Sequence, residues 1–144
     1  MARIVVGVDG SASSKQALRW AAEEAARSGA TLEPLMAWEN PQRYMWIPRV
    51  EGGREDPSGH TRRALHQAVT AALGKEPEVE VHEVVVEAPP ARALVEAAKG
   101  AALLVVGNRG RGGFGGVLLG SVSFHCVSHS PCPVVVVRGK VDGS

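Results

Sequence analysis

"LLVVGNRGRGGFGGVLLGSVS", residues 103–123, decides the fold. It opens with an unbroken apolar run, as a strand buried on both faces of a parallel sheet does. It closes on Gly120 and Ser121, which lead into "SVSFHCVSHS", a helix with serines at its start. Between them the chain is mostly glycine. Glycine costs backbone entropy on folding, so such a run answers a need: positive φ, a tight turn, or a close approach of the backbone. Strand, glycine-rich loop and helix in this order stand where open α/β sheets bind ligands.

The same alternation extends outward from this stretch. "RIVVGVD", residues 3–9, is a short β-branched run. An alanine-rich helix follows, with Ser13 and Gln16 as a capping box and Gly29 as its stop. "TLEPLMAWE", residues 31–39, reads as a second strand, where Pro34 either weakens that reading or sits where no ladder donor is needed. Residues 40–58 are long for a loop inside a compact domain. Helical spacing returns over residues 59–75, and "VEVHEVVVE", residues 79–87, reads as a third strand. "APPARALVEAAKG", residues 88–100, begins with prolines and ends with glycine, the asymmetry of a helix. "ALLVVGN" is the fourth strand and "PVVVVR", residues 133–138, the fifth. Strands alternating with helices mean βαβ units, a parallel sheet and helices on both faces. The expected fold is Rossmann-like α/β: an open five-stranded parallel sheet of order 3-2-1-4-5, with residues 1–144 as one domain.

Composition narrows the function classes. A formal charge of +1 gives no reason to expect nucleic acid or an anionic membrane as partner. No apolar run is long enough to span a bilayer. "MARIVVGVDG" has too short an apolar run for a signal peptide. A cytoplasmic protein is expected, and Cys126 and Cys132, which form no CxxC pair, fit reduced thiols there.

Three phosphate-loop patterns compete for the glycines. Gly115 and Gly120 have Walker A spacing, but Ser121 stands where the lysine is required. Gly110, Gly112 and Gly115 match GxGxxG, yet that fingerprint belongs after a first strand, with an acidic residue about 20 positions on. Here it follows the fourth strand, and the valine run lies downstream. The third pattern, G-x2-G-x9-G-[S/T], is met without a gap by Gly107, Gly110, Gly120 and Ser121. With "IVVGVDGS", "EAPPARALVEAA" and the closing "CPVVVVR", nearly the whole chain resembles the universal stress protein domain, in its nucleotide-binding branch.

The resemblance implies ATP as ligand, with Mg²⁺ held chiefly by the phosphates. It places Asp9 near the ribose and base, the backbone of Ala37 beside the base, and Val106 in the adenine pocket. Gly107 and Gly110 turn the backbone off the fourth strand and press its N–H groups toward an anion. Gly120, Ser121, Val122 and Ser123 open a helix whose free N–H groups and dipole make an anion site without lysine. Ser121 and Ser123 add hydroxyl donors, and Arg109 and Arg111 supply charge. For Asp9, the alternative is a turn or helix-capping carboxylate. The chain departs from the family pattern at Ala101 and Ala102, where Asp is common, and at Asn108, where small residues or serine are common; Asn tolerates unusual φ.

Other constellations carry less. His125 and His129 share a helix face, with Cys126 and Cys132 nearby, but CxxC and HExxH are lacking and no metal site is expected. His60, His66 and His82 lie in separate elements, and no GxSxG elbow is present. Tyr44, Met45, Trp46 and Ile47 sit in the long polar loop, where they cover a pocket, meet a partner or tuck onto the core. An apolar strand at the sheet edge is a liability unless paired. In the family that strand, Val134 to Arg138 here, pairs with its copy across a two-fold axis. The expected function is that of an ATP-binding, homodimeric sensor or regulator in stress response. The alternatives are a nucleotide-independent protein-interaction module and a slow ATPase.

Overall fold

The computed structural model describes residues 2–40, 57–108 and 119–138. Its five strands, all parallel, run in the order β3-β2-β1-β4-β5. They are β1 (Arg3–Gly7), β2 (Thr31–Trp38), β3 (Val84–Glu87), β4 (Leu103–Gly107) and β5 (Val134–Val137). The connecting helices are α1 (Ala12–Ser28), α2 (Pro57–Leu73), α3 (Pro90–Ala97) and α4 (Ser121–His129). Successive strand residues point to opposite faces, so each apolar run feeds two cores. Ile4 and Val6 of β1 join Val105 of β4 on one face, packed by Ala17, Leu18 and Ala21 of α1 and by Leu65 and Val69 of α2. Val5, Leu104 and Val106 face the other way, onto Ala93 and Leu94 of α3 and Cys126 of α4. The expected architecture and strand order are those observed.

Two local expectations need correction. The cap of α1 is Ser11, not Ser13: the Ser11 side chain accepts the Ser14 N–H at 3.2 Å. It is held there because Asp9 Oδ1 accepts the Ser11 N–H at 2.9 Å, an Asx turn that starts the helix two residues early. The stop at Gly29 stands, with φ of 77° and its N–H on the Ala25 carbonyl.

The third strand is shorter than residues 79–87, and Pro34 explains why. Leu32 donates its N–H to the Glu80 carbonyl and accepts from the His82 N–H, so even-numbered residues of β2 bond toward β3. Pro34 is the next even position and has no N–H. The ladder thins to one bridge, Leu32 with Val81, and resumes in the same register at Leu35 with Val84. Pro34 thus occupies a position where a ladder donor is missed.

The parity of β5 matters as well. Leu104 N–H donates to the Pro133 carbonyl and Asn108 N–H to the Val137 carbonyl. Odd-numbered residues of β5 therefore bond toward β4. The backbone groups of Val134 and Val136 point to the open edge of the sheet.

Candidate functional site

β1 leads into α1 on one face of the sheet, while β4, its neighbour, leads into α4 on the other. The carboxyl ends of β1 and β4 therefore diverge, and a crevice opens between them. The crevice is open to solvent, with a cavity of about 100 Å³ at its base. Gly7, Val8 and Asp9 line it from the end of β1, and Val106 and Gly107 from β4. Leu35 and Ala37 of β2 form one wall. Pro90 and Leu94, one helical turn apart on α3, form another, and Ser14, Val122 and Ser123 close it from two helix starts.

Six of the residues singled out from sequence thus meet around one cavity: Asp9, Ala37, Val106, Gly107, Val122 and Ser123. Gly120 is the N-cap of α4 and Ser121, exposed, its first residue; neither is among the lining residues. Arg109, Gly110, Arg111 and the glycines of residues 112–116 lie outside the described residues, as do Tyr44, Met45, Trp46 and Ile47. Sequence reasoning missed Gly7, Pro90 and Leu94. In the structure a Cβ on Gly7 would stand 2.9 Å from Leu94 Cδ1, so glycine at this position leaves room for the Leu94 side chain against the end of β1.

Gly107 is glycine for a reason the loop patterns did not supply. A Cβ there would lie 2.5 Å from Ser13 Oγ, 2.8 Å from Ser13 C and 2.9 Å from Ser13 O. The end of β4 presses on the backbone of the first turn of α1, and only hydrogen fits. Asn108 is buried, and no described non-glycine residue has positive φ, so its φ tolerance is not used. Its N–H instead reaches the Val137 carbonyl at 2.9 Å, and its carbonyl accepts the Gly120 N–H at 2.7 Å. Ser123, 4% exposed, adds its hydroxyl to that junction. Its Oγ lies 3.3 Å from the Asn108 carbonyl and 3.2 Å from the Gly120 carbonyl. Carbonyls only accept, so the Ser123 proton is directed at the loop junction and not at the cavity.

Asp9 makes the turn that was the alternative reading of its carboxylate, and it also stands in the crevice wall. Its Oδ1 serves the Asx turn, its N–H donates to Ser14 Oγ at 3.3 Å, and the residue lines the crevice. Asp9 is the one acidic residue among the described lining residues, and none of them is Lys or Arg. The start of α4 is open. Gly120 makes no side-chain cap, no acidic residue stands in the first turn, and the first N–H groups of a helix have no intrahelical partner. These donors and the helix dipole favour an anion at that end of the crevice. Apolar walls at Ala37, Leu94 and Val106 favour a flat apolar group at the other.

Residues 1–138 match the sequence pattern of the universal stress protein family. The chain belongs to that family. A universal stress protein of Mycobacterium tuberculosis is 40% identical over 142 residues, which cover 95% of this chain and 44% of the relative. The chain thus spans less than half the length of the curated relatives it matches first. Among solved structures, a universal stress protein in complex with cAMP superposes with a TM-score of 0.68 at 33% identity, covering 96% of this chain and 98% of that one. A structural-genomics protein solved as a test case of function assignment shares the fold at a TM-score of 0.76, with 16% identity and 98% of both chains covered. Among the described residues, no helix is long and apolar enough to cross a membrane.

Proposed function

We propose that this member of the family binds ATP in the crevice between β1 and β4 and acts as a homodimeric regulator or sensor in stress response. One observation carries the reading: an apolar slot and an uncapped helix N-terminus share one cavity. On this reading Ala37 and Val106 flank adenine and Asp9 stands at the ribose. Gly107, Arg109, Gly110 and the start of α4, from Gly120 through Ser121, Val122 and Ser123, surround the phosphates. Mg²⁺ is carried chiefly by the phosphates. The related structure with cAMP supports an adenine nucleotide as the ligand class. Residues 1–144 form a single domain that works in the cytoplasm.

The dimer forms through the edge strand that begins at Val134 and ends at Arg138. Its support is the pair of outward-facing backbone positions at Val134 and Val136, in a strand whose valines are half-buried. Antiparallel pairing with a second copy satisfies those groups. A nucleotide-independent interaction module is the second reading, favoured by Phe124 and Val127 on α4, 63% and 49% exposed.

Calorimetry on nucleotide-stripped protein with Mg-ATP, AMP, cAMP and inorganic triphosphate tests the site. Saturable binding of ATP, stronger than that of triphosphate alone, is expected. No binding of any adenine nucleotide refutes the reading and leaves the interaction module.

A further inference from the structure

The outer face of α4 takes no part in the crevice. Cys126 and Ser123 point inward, at 0% and 4% exposure, while His125 and His129 are exposed one turn apart. Their imidazole rings stack with centroids 4.3 Å apart and planes inclined by 21°. His129 Nδ1 lies 3.1 Å from the His125 carbonyl oxygen. A carbonyl only accepts, so Nδ1 of His129 carries a proton and the lone pair of the neutral ring is at Nε2. Metal-bound histidines are commonly held this way, one ring nitrogen donating to a carbonyl while the other ligates. Two histidines elsewhere differ: His66 faces the Glu83 carboxylate and His82 that of Glu80.

We propose that His125 and His129 form a two-ligand site for a divalent transition-metal ion of the Zn²⁺, Ni²⁺ or Cu²⁺ class. Imidazole nitrogen suits these ions. Bonds of about 2.0–2.1 Å place two ligand nitrogens roughly 3 Å apart on one ion. The stack itself is not the chelate, because each Nε2 lone pair lies in its own ring plane; the exposed His125 ring turns out of the stack to converge with His129 Nε2 on one ion, His129 keeps its carbonyl bond, and water completes the coordination. The cysteines stay out of the set. Cys126 is sealed in the core behind the helix, and the motif spacings that exclude a closed zinc site do not bear on a surface chelate. An ion bound there clips one turn of α4, the helix whose first turn lines the crevice.

The test uses untagged, nucleotide-free protein, so that metal carried by nucleotide phosphates is not counted. Titration with NiCl₂ is expected to give one ion per chain, and the protein is retained on nickel-charged resin. His125→Ala and His129→Ala each weaken binding about tenfold or more, while His66→Ala leaves it unchanged. With Zn²⁺, nitrogen spectra of the imidazoles show both Nε2 resonances moving together. Absence of nickel binding, unchanged affinity in either α4 variant, loss on His66→Ala, or a His129 Nε2 that does not respond to Zn²⁺ each overturns the proposal.

Discussion

Gly107→Ala is expected to damage the fold through Ser13, whatever it does to a ligand. The added methyl carbon meets Ser13 Oγ at 2.5 Å and, behind it, the Ser13 backbone at 2.8 and 2.9 Å. The side-chain overlap is relieved by rotation or deletion of Oγ. The backbone overlap is relieved only by moving β4 away from α1, which packs against it in the core. Overpacking of this kind costs about 1–3 kcal/mol. Unfolding entropy near 2.1 cal/mol/K per residue makes that a fall in Tm of about 3–10 °C for 144 residues. The assay is a double-mutant cycle, read by thermal and urea denaturation, over wild type, Gly107→Ala, Ser13→Ala and the double variant. Ser13→Ala is expected to recover less than half of the loss, because the backbone contacts remain. An unchanged Tm in Gly107→Ala, or full recovery in the double variant, refutes the close-approach account of this glycine.

Three further outcomes are expected. Asp9→Ala loses the acceptor of the Ser11 N–H and about 1 kcal/mol of stability; Asp9→Asn keeps an acceptor and its stability, so weaker ATP binding by Asn with triphosphate binding unchanged isolates the carboxylate's part at the ribose. Val136→Pro removes an edge-facing donor and yields a folded monomer by sedimentation, whereas Val135→Pro breaks the ladder to β4 and unfolds the chain; a dimeric Val136→Pro argues against this interface. Burial pushes the Cys126 thiol from 9.0 up to about 11, so the folded state holds a proton that the unfolded state releases first. Its contribution is complete below about pH 9 and declines by roughly 2 kcal/mol as pH rises toward 11; Cys126→Ala flattens that part of the urea-midpoint profile, and equal slopes in both proteins count against the assignment.

The periodicities that place the elements were legible because they are backbone facts. Unbroken β-branched runs flag strands buried on two faces, and both β1 and β4 feed two cores through alternate residues. The misreadings arose where a hydrogen bond depends on direction. Ser11 and Ser13 are equivalent as letters, and only the Asp9 carboxylate selects the first as the cap. Pro34 forfeits a ladder bond on either side because β2 lies between β3 and β1, and residue parity decides that the bond lost is the one to β3. The glycine pattern drew attention to phosphate, yet Gly107 meets Ser13, a contact between residues 94 apart that no local spacing encodes. Pro90 and Leu94 went unnoticed as cavity walls because apolar residues on a helix face read as core until the opposing surface is known.

The Asn108–Gly120 hydrogen bond has a consequence for how this fold diversifies. β4 hands the chain over at Asn108 and α4 receives it at Gly120, with the two residues already joined at 2.7 Å and Ser123 pinned across the same seam. The strand and the helix are thus registered to one another without the intervening residues. Closing a longer insert between fixed ends adds only about 0.6 kcal/mol for each doubling of its length. Residues 109–119 can accordingly be exchanged, lengthened or charged as a cassette, with the scaffold's geometry conserved and only the chemistry at its rim rewritten. Descent with modification can act on that cassette while leaving the sheet alone.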